Sequence, residues 1–378
     1  MDFVNLLVDL GDARFAQRPV HHAIEACDRA GTYVWREHAT PEAVLGWIDG
    51  AFGGTWSSEA AAGGAWLARD ADGLAGFCAF DARNVRYPWL RAWRDRPEVG
   101  LFGPLGVAER ARGRGLGAVL LHAALFALRE RGYREALVPA VGAPGLIEFY
   151  ERHASARVVE TFSPFAWQRR ARTTVLASGN GSNFEAVAKA ARDGRLPLDI
   201  TALVVNAPGA YAVARAARAG VATQVLAWSR ERETRAAYDA RLRASVEATE
   251  PELVLLLGWM HLLDEAFVGR FAELLNLHPA FLPLDPELDV VTMPDGTQSP
   301  AFRGARAVDA ALAAGGGWSG ATLHRVGLEV DRGAVQARAP LALAAGEPRD
   351  ALDARLHALE RQVVLTGLRR WMWERDAC

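Results

Sequence analysis

Between Leu253 and Trp259 the chain runs LVLLLGW, with no alternation of apolar and polar side chains. A strand with one wet face alternates, so a run this uniformly apolar needs cover on both faces, which a parallel sheet flanked by helices supplies. The neighbouring segments agree. TVLAS precedes the loop GNGSN and a helix read in FEAVAKAARDG; ITALVVN precedes a second helix and ATQVLA; a helix over 234–248 leads into the apolar run. Alternating strands and helices predict a doubly wound, mostly parallel Rossmann-like sheet in the C-terminal half.

The half before it reads differently. An α segment comes first, then strands at 65–67, 76–80 and 98–107, a glycine-rich turn, and a helix over about 115–132. A short strand, a helix over 146–153 and a strand over 156–161 close it. The polar stretch FAWQRRARTT then breaks the pattern. At 378 residues the chain exceeds the roughly 100–200 residues of a usual domain. Two α/β domains are therefore expected, 1–170 with a mixed sheet and 171–378 with the parallel one. The chain shows no 20–50 residue repeat, and the strand orders differ, so the pattern is a fusion rather than a duplication.

Composition removes several functional classes. With 43 basic against 45 acidic residues there is no global footprint for nucleic acid, and small molecules are the expected partners. Nearly every base is Arg; the only Lys is Lys189, which leaves lysine nucleophiles and phosphate-loop lysines without a suitable residue. No apolar run approaches the roughly 18 residues of a membrane span, and acids stand where a signal peptide carries bases. A cytoplasmic protein is expected. Cys27, Cys78 and Cys378 have neither metal-ligand nor CxxC spacing, so they are expected to be reduced, with no metal site.

In the first half, VGLFGPLGVAERARGRGLGAVLLHAAL passes from a strand through Arg112, Gly113, Arg114, Gly115, Leu116 and Gly117 into a helix. Glycines let the backbone approach a ligand, and free N–H groups at a helix start suit a pyrophosphate. A tight turn made of glycine for packing is the competing reading. The pattern R-x-x-G-x-G in this setting resembles the coenzyme A loop of the GNAT superfamily of N-acetyltransferases, over most of residues 20–165. The resemblance implies an acyl-CoA, acetyl-CoA first, bound by Val107 and by 112–118 through Ala118. It also implies that Tyr150, in FYER, is an acid for the leaving thiolate. A phenol near about 10 can protonate a thiolate near about 8.5–9, and a half-buried packing aromatic is the alternative.

In the second half, LLNLHPAFLP places Asn276 and His278 two apart on one extended segment, hence on one face. A neutral donor beside a titratable one suits a developing oxyanion. LEVDRG adds Asp331 in a turn. Each residue alone has a structural explanation. In order, GNGSN, LVLLLGWM, NLHP and LEVDRG resemble glycinamide ribonucleotide transformylase and the wider 10-formyltetrahydrofolate-dependent formyltransferases over nearly all of residues 173–370. The resemblance implies that a neutral amine attacks the formyl carbon, that Asn276 and a protonated His278 steady the oxyanion, and that Asp331 favours the imidazolium. It places Gly181, Ser182 and Asn183 on an acceptor phosphate and Glu360 on the acceptor's ribose. Leu257 and Met260 would line the folate groove, and His324 matches a histidine near the site.

Two departures bear on the acceptor. His261 stands where that family has an Arg near the folate, and the loop after NLHPAFLP is longer and more acidic. The expected function is a bifunctional acyl-transfer enzyme in specialised metabolism that formylates and acylates a small-molecule amine, with a homodimer allowed. A purine-pathway transformylase with a degenerate first domain, or a non-catalytic folate and coenzyme A binder, are the other readings.

Overall fold

The computed structural model describes residues 2–82, 85–167 and 169–376; Cys378 lies outside them. Its contacts divide the chain into two compact units. One comprises Met1–Ala166 with Pro294–Gly296 and Trp373–Cys378, the other Trp167–Met293 with Thr297–Met372.

The first unit opens with a strand, β1 (Phe3–Asp9), not the helix expected there. Val4, Leu6, Leu7 and Val8 are all buried, so both faces of the strand are covered and the alternation that marks a half-wet strand is missing. Next come α1 (Gln17–Arg29), β2 (Tyr33–Glu37), α2 (Glu42–Ala51), α3 (Trp56–Ala61), β3 (Gly64–Asp70), β4 (Gly73–Phe80) and β5 (Val99–Val107). After them follow α4 (Leu116–Glu130), β6 (Glu135–Val141), α5 (Pro144–Ala154) and β7 (Arg157–Phe162). The sheet order is β2-β3-β4-β5-β6-β1-β7. All neighbours are antiparallel except β5 and β6. That parallel pair holds for only three residue pairs, from Val99↔Glu135 to Leu101↔Leu137. Beyond them β5 runs on towards the glycine loop without β6. Leu120, Leu121, Ala124 and Leu128 of α4 fill the core with Phe15, Trp66 and Phe102.

The first strand of the second unit is β8 (Ala171–Ala177), which starts inside the stretch whose polarity marks the break. It continues with α6 (Ser182–Arg192), β9 (Leu198–Val205), α7 (Ala212–Ala219), β10 (Thr223–Val225), α8 (Arg235–Glu247), β11 (Leu253–Leu257), α9 (Glu265–Arg270) and β12 (Leu274–His278). Then come β13 (Val290–Thr292), β14 (Gln298–Pro300), α10 (Ala307–Ala314), β15 (Trp318–Arg325), β16 (Val335–Ala342) and α11 (Arg349–Asp376).

The main sheet of this unit is ordered β10-β9-β8-β11-β12-β15-β16. Its first five strands are parallel and the last two antiparallel, so the expected doubly wound, mostly parallel α/β class is observed. All five residues of β11 are buried, as two-sided cover requires. α6 places Phe184, Val187, Ala188 and Ala191 at helical spacing against the core. Thr234 caps α8 and Asp264 caps α9, each accepting a backbone N–H three residues on. The acidic loop expected after NLHPAFLP folds as the β13–β14 hairpin, paired from Val290↔Pro300 to Thr292↔Gln298.

Candidate active site

Parallel α/β sheets gather ligands beyond the carboxyl ends of their strands, where successive loops diverge. In the second unit the segments after β8, β11 and β12 enclose a cleft of about 330 Å³ with the 304–305 and 326–331 loops and α11. Asn276, His324 and Asp331 form one part of its wall, and Leu256, Leu257, Trp259, Met260 and Val330 an apolar part. Asn180, Gly181, Ser182, Asn183, His357 and Glu360 line it as well. The cleft is thus lined by apolar side chains, by polar side chains and by titratable groups.

Sheet register assembles those groups. Asn276 of β12 pairs with His324 of β15, and His278 with Thr322. Asp331 arrives from the turn between β15 and β16 with φ +54°, a left-handed conformation that Asp tolerates better than most residues. Gly333 makes that turn possible, because a Cβ there would run into the Arg325 carbonyl oxygen. The Asp331 carboxylate lies 3.3 Å from His278 Nδ1, His324 Nε2 and Asn276 Nδ2, and accepts the Gly304 N–H at 2.8 Å. Three sequence-predicted catalytic residues, 55 positions apart at the extremes, are thus brought together.

The proton map follows from what each nitrogen faces. His278 Nε2 is 2.7 Å from the Phe302 carbonyl oxygen, which can only accept, so Nε2 carries a proton. Nδ1 then faces Asp331. His324 Nδ1–H donates to the Arg325 carbonyl oxygen at 2.7 Å. Its Nε2, 3.2 Å from Asn276 Nδ2, accepts from the amide when the ring is neutral and donates to Asp331 when it is charged.

Burial pushes the pKa of His278 down more strongly than Asp331 and the Phe302 carbonyl raise it. The ring nitrogens of His278, expected from sequence to be protonated in the reaction, face the Phe302 carbonyl oxygen and the Asp331 carboxylate. His278 is also only 4% exposed and is not part of the cleft wall. Burial alone would raise the pKa of Asp331, but His324, His278 and the Gly304 N–H hold it far below the carboxylate range.

Gly181 has φ +75°, and a Cβ there would come within 2.6 Å of the Ala212 side chain, so only glycine fits this start to α6. Asn183 Nδ2 donates to Glu360 at 2.8 Å, which ties the loop to α11. Glu360 is buried, and burial raises its pKa. Arg215 braces the loop from outside through the backbone and side-chain oxygens of Asn180. Met260 is 56% exposed and lines the cleft with Leu257. His261 packs edge-on to Trp228, Tyr238 and Trp259, and burial lowers its pKa.

In the first unit, Arg112, Gly113, Arg114 and Gly115 are exposed between β5 and α4. Gly113 and Gly115 have φ +76° and +80°, and no side chain caps the start of α4. Leu116 is buried, Gly117 and Ala118 are half-buried, and Arg112 Nε holds the Val107 carbonyl oxygen at 3.1 Å. Tyr150 lies on α5 as expected, but its ring is in the core against Phe102 and Phe149. Burial pushes its hydroxyl pKa far up, which keeps the phenol protonated and makes it a weaker acid. Cys27 and Cys78 are free thiols.

Sequence reasoning left Phe302, Arg303 and Gly304 out of the site and gave His324 no role. No motif signals the first three, because their importance comes from the path of the loop after β14; His324 gains its place from the pairing of β12 with β15.

Two family models match the chain: Formyl transferase over 171–288 and 297–368, and Acetyltransferase (GNAT) family over 18–154. It is 33% identical over 190 residues to phosphoribosylglycinamide formyltransferase of Escherichia coli, covering 50% of this chain and 81% of that one. It is 31% identical over 293 residues to the trifunctional purine biosynthetic protein adenosine-3 of Drosophila melanogaster, covering 74% of this chain but only 20% of that much longer protein. Among solved structures, glycinamide ribonucleotide transformylase 1 from Symbiobacterium toebii matches with TM-score 0.48 and 29% identity, over 55% of this chain and 89% of that one. The chain is a transferase of the formyl transferase family, with a GNAT acetyltransferase domain at its N-terminus.

Proposed function

We propose that the second domain transfers the formyl group of 10-formyltetrahydrofolate to the amine of a small molecule, and that the first transfers an acyl group from coenzyme A to an amine. The observation that carries the formyl-transfer reading is the convergence of Asn276, His278, His324 and Asp331 beside a cleft lined in part by apolar side chains. A flat heterocycle suits the wall of Leu257, Trp259 and Met260, which leaves its formyl group towards Asn276 and Asp331. The uncapped N–H groups of the 113–117 loop suit a pyrophosphate.

The amine attacks as the neutral base, the C–N bond forms, and charge collects on the formyl oxygen. Asn276 donates to that oxygen, giving up one of its two long contacts to His324 and Asp331. The ammonium proton passes through Asp331 to the open Nδ1 of His278, and the carboxylate then stabilises the imidazolium. Collapse breaks the bond to the folate nitrogen, which takes the proton back. Gly181, Ser182, Asn183 and Glu360 hold the acceptor.

The sequence similarity to phosphoribosylglycinamide formyltransferase favours a second reading, a purine-pathway enzyme whose first domain does not transfer acyl groups. Mass spectrometry of products separates the two, with 10-formyltetrahydrofolate and acetyl-CoA supplied singly and together. Bifunctional transfer predicts a mass gain of about 28 Da with the first donor, one CO, and of about 42 Da with the second, one C2H2O. Formylated glycinamide ribonucleotide alone, with no acetylated product from any amine, would support the purine reading.

A further inference from the structure

Asp331 is a non-glycine residue in a left-handed conformation, and such residues persist where the surroundings over-determine them. Its carboxylate is fixed by the Gly304 N–H, and its backbone carbonyl accepts from Arg303 Nε at 3.2 Å. Arg303 spends its other two nitrogens on one turn. Nη1 faces Asp289 Oδ1 at 3.1 Å, and Nη2 donates to the carbonyls of Leu288 at 2.8 Å and Pro286 at 3.4 Å. Arg332, next to Asp331, donates to the same Pro286 carbonyl at 2.8 Å and pairs with the same Asp289 carboxylate.

We propose that Arg303 is a positioning residue for formyl transfer, holding Asp331 by its carbonyl and fastening it to the 286–289 turn that leads into the inserted hairpin. The rate effects below rest on the formyl-transfer reading; the geometry does not.

Three consecutive residues bridge the two buried partners. The Phe302 carbonyl accepts a hydrogen bond from His278 Nε2–H, Arg303 donates to the Asp331 main-chain carbonyl, and the Gly304 N–H donates to the Asp331 carboxylate. Arg303 is the member of the three whose side chain leaves the site, and its side chain is 14% exposed. The Asp289 carboxylate is 74% exposed, so its ion pairs contribute little as charge interactions. Their value is geometric: a rigid planar fork with all three nitrogens engaged fixes direction as well as distance, which a lysine ammonium does not. The match to the formyl transferase family stops at 288 and resumes at 297, so Asp289 lies in a segment foreign to the family model. Arg303, Pro286, Leu288 and Asp331 lie inside the matched segments, so the brace joins family positions to one residue of the inserted segment. Arg303 also lies near enough to lower the proton affinity of His278.

The test compares Arg303→Lys and Arg303→Met in the full chain, by steady-state kinetics and by nitrogen-edited NMR of the histidine rings, with His278→Gln assigning the His278 signal. Both variants should lose about 10- to 100-fold in kcat, as outer-sphere and misplacement effects do, with KM for both substrates within about twofold. The His278 titration should move to higher pH in Arg303→Met, which removes a nearby positive charge, and stay in place in Arg303→Lys. Unchanged kcat, a loss confined to KM, or a drop in Tm with normal kcat would each overturn the proposal. If the parent chain transfers no formyl group, the functional reading fails on its own. The His278 titration and the Asp331 carboxyl carbon signal then decide the brace: both unmoved in Arg303→Met would overturn it. Where Arg303→Met does not fold, Asp289→Asn, which alters only an exposed carboxylate, is scored by the same signals.

Discussion

The two domains present their chemistry in opposite ways. In the second, the groups proposed to react are side chains drawn from β12, β15 and the turn after it, clustered within hydrogen-bond or ion-pair distance of one another. In the first, the readiest binding surface is exposed backbone, the N–H groups of a glycine loop opening α4, with Tyr150 as a side chain sunk in the core. A side-chain cluster can be destroyed by one isosteric change, because its members share protons. A backbone cradle has no side chain to remove and responds to changes that alter the path of the main chain.

The sharpest way to break that contrast is Asp331→Asn. The amide keeps the size of the carboxylate but cannot take a proton or favour an imidazolium. With proton transfer and oxyanion stabilisation both impaired, formyl transfer should fall by about 10³- to 10⁴-fold, while acyl transfer by the first domain stays within about twofold. Single-turnover assays of both reactions on the same preparation check this. A formyl-transfer loss under about tenfold would mean that the cluster does not act as a unit.

Acid should separate the domains less severely. His278 has a lowered pKa in the folded state, so between its ordinary value of about 6.5 and its folded value the unfolded chain takes up a proton that the folded chain does not. Stability conferred by the neutral ring is therefore complete above about pH 6.5 and is lost as pH falls below it. Asp331 acts in the same sense at lower pH: its stabilisation is present above about 3.9 and is lost as the folded-state carboxylate is finally protonated. His261 adds to the first window, as does His122 in the first domain, where burial also lowers the pKa. His278→Gln should thus flatten, without abolishing, the fall in urea midpoint of the second domain between about pH 7 and 5. An unchanged slope would show that the folded ring is protonated after all.

What the sequence revealed follows the same contrast. The uniformly apolar Leu253–Leu257 announced a parallel strand, because cover on both faces leaves a mark in every residue of the strand. The same cover over β1 leaves a weaker mark, since FVNLLVD carries Asn5 among its apolar residues. Asn276, His278 and Asp331 were legible by order and motif. Their depth was not: His278 is buried, and its Nε2 meets the Phe302 carbonyl from a loop 24 positions away. Arg303 looked like one arginine among many. Its role arises from three nitrogens reaching partners in two separate turns, which no local pattern encodes.

The smallest expected effect concerns the backbone cradle. Coenzyme A at about 100 times its dissociation constant should stabilise a binding-competent first domain by roughly 2.7 kcal/mol, seen as a rise in its unfolding temperature. Gly115 sits at φ +80° with open space where a Cβ would be. Gly115→Ala therefore meets no clash, and its cost is conformational, about 1 kcal/mol for an alanine held left-handed. If the loop binds through its own N–H groups, that small strain should redirect them and reduce the coenzyme A shift by more than the variant's own loss of stability. Formyl transfer should be untouched. An undiminished shift in Gly115→Ala would move the binding away from the loop, whereas no shift in the parent chain would leave the second domain as the enzyme's one acyl-transfer centre.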